Sequence, residues 1–372
     1  MFFSSKKGII NQILSLNWLL VGLVTVVSLI GFAVLYSAAE ASFEPWALKQ
    51  IIRFLVLLPL AIAIALIDLK VLLKYSYFIY GVVIVLLLMI TLNVFSVTAM
   101  GATRWIKFGP VTLQPSELMK ICLVFALAKF FHQASIVNIH RIIHLIIPGL
   151  LILVPVAMII EQPDLGTALI LLMVGTSVLF AAGVRIWKFL VAGGFGAAII
   201  PIAWHFMHDY QKKRVNIFLD PDSDPLGAGY NIMQSKIAIG SGGFLGKGFL
   251  HGSQSQLSFL PEKQTDFIFT MFSEEFGFIG GLVLILLYLI IFIFGLVIAI
   301  RSNNHFGRLL AFGMVSIFSF HVFVNIGMVM GILPVVGAPL PLLSYGGTIM
   351  ATMMVILGIL LNIDLHSNEE LN

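Results

Sequence analysis

Few side chains in this sequence can do acid–base chemistry or bind an anion, so their positions carry most of the functional information. The 372 residues include 21 Lys and Arg, 17 Asp and Glu, 9 His and 1 Cys. Asp266 closes a polar stretch, Phe259-Leu-Pro-Glu262-Lys263-Gln-Thr265-Asp266-Phe267, immediately before an apolar run. Partial desolvation at such a place raises a carboxyl pKa toward the range a general base needs. The competing role is structural, with Thr265 or Asp266 as the N-cap of the helix that follows, worth about 1 kcal/mol. The two roles are compatible, because a carboxylate at a helix start can still face a cleft. Three further charges fall within apolar runs, where an ionisable group is costly and marks a functional site by default. Glu117 and Lys120, at i and i+3, share a helix face and can pair; mutual neutralisation alone would also account for them. Arg53 adds an excess positive charge suited to a phosphate-bearing ligand.

Other constellations are weaker. Gly240-Ser-Gly242-Gly243-Phe-Leu-Gly246-Lys247-Gly248 has the look of a phosphate loop, but Gly248 stands where Ser or Thr is needed and no strand precedes it. His205 and His208 have no close third ligand beyond Asp209 and are better read as interfacial histidines than as a metal site. Cys122 is alone, so neither an intrachain disulfide nor a Cys-based metal cluster can form. His321 and Asn325, at i and i+4, sit on a face with Gly327 and Gly331 that suits close helix packing as well as it suits function. The segment that joins the last two apolar runs contains Pro334, Pro339, Pro341 and Ser344 and cannot be a regular helix. Non-helical backbone at that depth is tolerated only where it is buried in protein or lines a cavity, and a cavity wall is the more natural expectation.

The elements that must position these residues are membrane helices. Apolar residues make up 60% of the chain and charged ones 10%, against about 45–50% and about 25% in soluble domains. Apolar runs fall at about 17–37, 48–67, 75–95, 115–131, 142–160, 164–182, 187–204, 268–300, 309–331 and 346–363, each near the ~20 residues a span requires. The expected fold class is therefore an all-α polytopic membrane protein of about ten spans, a single integral membrane domain over 1–372. Lys6, Lys7, Lys70, Lys74, Lys129, Arg141, Arg185, Lys188, Arg301 and Arg308 fall on one side, and by the positive-inside rule both termini are cytoplasmic. The basic balance then serves orientation and implies no nucleic-acid partner. Residues 205–265, between the seventh and eighth runs, form one long extracytoplasmic loop. Its apolar content argues for order, and residues 229–239 read as an amphipathic helix on the membrane surface.

Several motifs, in order, together carry a resemblance: Gln114-Pro-Ser-Glu117-Leu-Met-Lys120, Gln162-Pro-Asp164-Leu-Gly-Thr167, Asp224-Pro-Leu-Gly227-Ala-Gly229-Tyr230, Glu262 to Phe267, and Asn325-Ile-Gly-Met328 through Ser344-Tyr345-Gly346-Gly347. From about residue 17 to 364 the chain resembles the SEDS proteins of bacterial envelope growth, and Leu333-Pro-Val-Val-Gly337-Ala-Pro339-Leu-Pro341 is more similar to the elongation branch than to the division branch. The resemblance implies a ten-helix peptidoglycan glycosyltransferase in the bacterial inner membrane, which polymerises lipid II into glycan strands on the outer face beside a class B penicillin-binding protein. It implies that Asp266 is the essential aspartate and that Arg53, Glu117 and Lys120 line the substrate cavity. Glu262, Lys263, Thr265 and Ser344, beside Asp266 or in the Pro-broken segment, complete the expected substrate-binding set. A divalent cation such as Mg2+ would help offset pyrophosphate charge, with its ligands left open. Thr348 stands where the family usually has Ser, and the hydroxyl survives. The rival from another class is a lipid II flippase, which would rely on charges at the membrane midplane instead of a base at the outer surface.

Overall fold

The computed structural model describes residues 8–92, 96–99, 102–108, 111–134, 141–206, 209–220, 223–224, 227–252 and 262–369. All ten apolar runs are helical: α2 (Trp18–Ala38), α3 (Ala47–Ala65), α4 (Leu69–Thr91), α5 (Pro115–Gln133), α6 (Ile146–Glu161), α7 (Leu165–Ala181), α8 (Ile186–Phe206), α11 (Ile268–Arg301), α12 (His305–Val329) and α13 (Gly347–Leu365). A short α1 (Ile9–Leu14) precedes them, and α9 (Asp209–Leu219) and α10 (Ala228–Ser241) lie between α8 and α11. Among the described residues seven helices are long and apolar enough to cross a membrane: α2, α3, α4, α6 with the turn before it, α11, α12 and α13. Of the other three runs, α7 has 17 residues, α8 is interrupted by Pro201, and α5 carries Glu117, Lys120 and Lys129. Only 22% of the most apolar window of α3 and 17% of that of α4 is buried within the protein. Apolar helices so exposed need a lipid solvent, which is the polytopic arrangement of this fold.

The middle of the bundle is made by α5, α12 and α13. Fourteen of the 19 residues of α5 are buried, and α12 packs against α5, α7 and α11 while α13 runs along α3. Asn362 of α13 donates to the carbonyls of Ile64 at 3.1 Å and Ala65 at 3.1 Å, satisfying orphan acceptors at the end of α3.

One feature departs from the all-α expectation. Three short segments form an antiparallel sheet, β1 (Ser96–Ala99), β2 (Ala102–Phe108) and β3 (Val111–Leu113), with Ser96 opposite Ile106 and Ile106 opposite Leu113. Strands this short fall below the length at which a span is recognised, although their Val, Thr, Trp, Ile and Phe are strand formers. The sheet feeds directly into α5, whose first residue is Pro115, where the missing N–H costs nothing. The helix expected at 229–239 forms, with one face packed on the protein and Met233 and Ile237 exposed on the other. Gly229, Ile232, Ser235 and Ala238 of α10 are buried against α11 and α12, and Ser235 Oγ donates to Val329 O at 2.9 Å while sharing a 2.7 Å hydrogen bond with Thr270 Oγ1.

The Pro-rich segment 330–346 is non-helical, as its prolines require, and is buried at Val336, Ala338 and 340–344. Its Val336 and Leu342 carbonyls lie against Gly166 of α7 and Gly31 of α2, and Tyr288 of α11 donates to Pro341 O at 2.6 Å. It thus forms a wall inside the bundle, opposite the start of α11. His208 and Phe259-Leu260-Pro261 lie outside the described residues.

Candidate active site

Asp266 sits on a tight turn at the mouth of α11. Thr265 N donates to Glu262 O at 3.1 Å and Phe267 N to the same carbonyl at 3.4 Å. Thr265 Oγ1 turns back to Glu262, donating to its Oε2 at 3.0 Å, and Gln264 Nε2 donates to that oxygen at 3.3 Å. The side-chain cap expected from Thr265 or Asp266 is therefore not made: Phe267 is the N-cap residue and no side chain bonds the helix start. Thr265 is spent on Glu262, and among the described residues nothing donates to the Asp266 carboxylate.

The backbone of this turn is held from two other elements. Ser344 Oγ donates to Thr265 O at 2.6 Å and accepts from Leu340 N at 2.8 Å, and Tyr345 N donates to Gln264 O at 2.8 Å. From α12, Asn325 Nδ2 donates to Asp266 O at 2.9 Å and to Ala338 O at 2.7 Å. Asn325 is fully buried. An Asn325→Leu substitution strands two buried carbonyls at about 1–3 kcal/mol each. It is expected to lower the melting temperature by several degrees, which thermal unfolding of the purified variant checks.

The electrostatics of the turn favour a base. Burial, then the carboxylate of Glu262, push the Asp266 carboxyl up from an ordinary 3.8 to about 6; Arg214 opposes them, Asp164 adds to them and Arg104 opposes. Arg214, on α9, donates to Val336 O at 3.3 Å. Arg104, on β2, donates to Gln162 O at 3.1 Å and to Pro163 O and lies 3.7 Å from Asp164. Asp164 in turn accepts from Gln114 at 2.9 Å and caps α7 through Thr167 N. The sheet is thereby locked to the α6–α7 turn, beside the start of α5.

Arg53 is brought to the same place from α3. Its guanidinium donates to Gln50 Oε1 at 3.2 Å and to the Tyr345 hydroxyl at 3.3 Å, and it lies 4.7 Å from the Tyr345 ring centroid. Gln50 Nε2 donates to Ser344 O at 3.0 Å, and its Oε1 accepts from Gly346 N at 3.3 Å. Arg53, with Gln50, and the turn that carries Asp266 are thus both tied to the same two residues, Ser344 and Tyr345. Two of the five guanidinium N–H groups are used in these bonds, which leaves donors for an anion.

Glu117 and Lys120 are joined but enclosed. Lys120 Nζ donates to Glu117 Oε1 at 2.6 Å and contacts His321 Nε2, and Lys120 is fully buried. His321 lies one helical turn before Asn325, so α12 connects this pair to the Asp266 turn. Of the expected set, the structure therefore gathers Arg53, Glu262, Thr265, Asp266 and Ser344 around one turn, with Lys263 buried in it. It holds Glu117 and Lys120 behind them. Gln50, Arg214 and Tyr345 were not anticipated. Gln50 is a polar residue in an apolar run, three positions before Arg53, and that spacing is a usable signal. Arg214 follows Lys212 and Lys213 and is indistinguishable in sequence from a solvated charge run. Among the described residues no three His, Cys, Asp or Glu side chains converge as metal ligands.

The family model of the FtsW, RodA and SpoVE proteins, described as cell cycle proteins, matches residues 10–369. The chain belongs to this family. It is 48% identical over 293 residues to the peptidoglycan glycosyltransferase MrdB of Escherichia coli K12, covering 77% of each chain. It is 38% identical over 305 residues to MrdB of Helicobacter pylori, covering 78% of this chain and 75% of that one. Among solved structures it is similar to a chain of a peptidoglycan synthase complex that coordinates polymerization and crosslinking, at 32% identity and a TM-score of 0.84, covering 96% of this chain and all of that one. The rod shape determining protein RodA of Thermus thermophilus matches at 28% identity and a TM-score of 0.73 over 96% of this chain and 99% of that one.

Proposed function

We propose that Asp266 is the general base with which this chain, a peptidoglycan glycosyltransferase of cell elongation, joins lipid II units into glycan strands. The acceptor is the 4-hydroxyl of one lipid-linked disaccharide, and the donor is the growing strand, linked through its sugar C1 to lipid pyrophosphate. Asp266 takes the hydroxyl proton as the new C1–O bond forms and the pyrophosphate leaves. Arg53 neutralises the charge that develops on the leaving group. The neighbouring Glu262 carboxylate is engaged by Thr265 and Gln264, so Asp266 acts as a single base, which fits displacement in one inverting step. Lys120, enclosed by Glu117 and His321, contributes positive charge behind the site without touching the phosphate. The observation that carries this reading is the Asp266 carboxylate itself, not used as a helix cap, without a donor among the described residues and pushed up to about 6.

The same reading places ten spans in the bacterial inner membrane with both termini cytoplasmic and residues 205–265 outside, so that the Asp266 turn faces the cell exterior. A class B penicillin-binding protein supplies crosslinking beside it. No step is routed through a metal. The test is strand synthesis from purified lipid II by the protein with its transpeptidase partner, comparing wild type with Asp266→Asn; full-length strands from a well-folded variant would sink the assignment. Because the carboxylate is the working form, activity is expected to be full above about 6 and to fall as pH drops through about 6. A pH–rate profile whose acid limb lies near the ordinary carboxyl range would contradict that.

A further inference from the structure

The glycine-rich segment 240–248, which fails as a phosphate loop, is built for a different purpose. It docks on a break in α11. Gly277 has φ 65° and ψ −164°, which splits the helix into a short polar-site half and a long apolar half. The segment supplies the hydrogen bonds lost at the break: Lys247 N donates to Glu274 O at 3.0 Å and Gly248 N to Glu275 O at 3.0 Å, while Phe278 N donates to Gly243 O at 2.8 Å and Ile279 N to Phe244 O at 3.1 Å. Lys247 Nζ also pairs with the buried Glu274 at 2.7 Å. Glycine is required for the approach, since a Cβ on Gly242 would lie 2.3 Å from Ser273 O and one on Gly246 would lie 2.1 Å from Glu275 O. The result is a pinned loop with two side chains between its glycines, Phe244 and Leu245, exposed by 75% and 80%.

A rigid loop that presents two large apolar side chains outward needs a cover. Its neighbours indicate which. Phe244 rests on Phe278 with ring centroids 5.8 Å apart. Phe278 begins an exposed apolar stripe on α11 that continues through Ile279, Leu282, Val283, Leu286 and Leu289. That stripe belongs to a helix apolar enough to span a membrane, so hydrocarbon covers it. The tip widens the stripe at the end where the span begins, with the Lys247 charge set back toward the protein. We propose that Phe244 and Leu245 insert into the bilayer interface of the leaflet on the Asp266 side, and so fix the height of the α11 break, and of the turn that precedes it, relative to the lipid surface. Aromatic and leucine side chains beside a lysine suit that depth.

The inference rests on α11 being a membrane span and not on the chemistry of Asp266. Its test is spin-label accessibility in nanodiscs of phosphatidylethanolamine and phosphatidylglycerol, with the full chain in a Cys122→Ala background. Labels go at Leu245→Cys, at Leu286→Cys in the stripe, and at Asn303→Cys in the exposed loop after α11. The expected result is a ratio of oxygen to chelated-nickel accessibility at 245 several-fold above that at 303 and approaching that at 286. A nickel-dominated ratio matching 303 overturns the proposal. So does exclusion of both reagents, which would mean that protein covers the tip. A water-like ratio at 286 would instead overturn the membrane assignment of α11. Retained strand synthesis by each labelled variant confirms that it is folded.

Discussion

Asp266→Asn is expected to lower strand synthesis by about 100- to 10,000-fold, the range contributed by general acid–base catalysis, and at the same time to make the protein more heat-stable at neutral pH. The two effects have one cause. A carboxyl pushed up to about 6 from 3.8 is a carboxylate that the folded state disfavours. The difference corresponds to about 3 kcal/mol. The sign follows from linkage: the unfolded state releases the Asp266 proton near 3.8 and the folded state only near 6, so the penalty is absent below about 3.8, grows as pH rises between these values, and is constant above. Asparagine keeps the shape and removes the charge. The melting temperature of Asp266→Asn should therefore exceed that of wild type at pH 7, and the gap should close as pH is lowered toward 4. A variant with lost activity and a lowered melting temperature at pH 7 would point to a structural role for Asp266, such as the helix cap that the sequence alone suggests. Strain of this kind, kept at a functional site at a cost in stability, is a common compromise in enzymes.

How much of this was legible in the sequence depended on how local the signal was. Every helix of span length is a contiguous apolar run, so run length alone located it; Trp18–Ala38 and Gly347–Leu365 begin and end within a residue or two of the expected bounds. The sheet at 96–113 was not legible, because its strands of four, seven and three residues carry too little periodicity to separate from loop. Asp266 could be singled out because it stands where polarity changes, which is a one-dimensional fact. Its uncapped state could not, since that depends on Thr265 being diverted to Glu262 by a turn whose first residue has φ 59°. Gln50, Asn325 and Arg214 act through partners 294, 59 and 122 positions away. Only the folded chain brings those pairs together. The glycine-rich segment shows the opposite error, a pattern that suggests a ligand and serves to mend a broken helix.

The enclosed pair behind the site offers the second large effect, and one that separates structure from function. Lys120→Met alone is expected to destabilise the protein by about 3–5 kcal/mol, the cost of leaving one member of a buried ion pair uncompensated. Glu117 is buried, and its Oε2 lacks a hydrogen-bond partner among the described residues; the nearest remaining donor, His321 Nε2, lies 3.9 Å from it, too far to replace the ammonium without movement. His321 loses the same contact. Replacing both charges, Glu117→Gln with Lys120→Met, leaves no unpaired charge and should recover most of the stability, since buried pairs exchanged for neutral groups of similar size are often neutral in effect. Thermal unfolding in one detergent measures both steps. Activity then decides what the pair is for. If it serves only to join α5 to α12, the double variant regains strand synthesis along with stability. If the positive charge of Lys120 supports the departing pyrophosphate, the double variant is folded and inactive, and its kcat falls while its affinity for lipid II, now lacking only a charge that touches no ligand, changes little. The second outcome is the one expected, because a lone structural pair could be replaced by packing, whereas this one contacts His321, a single turn of α12 before the asparagine that holds the Asp266 turn.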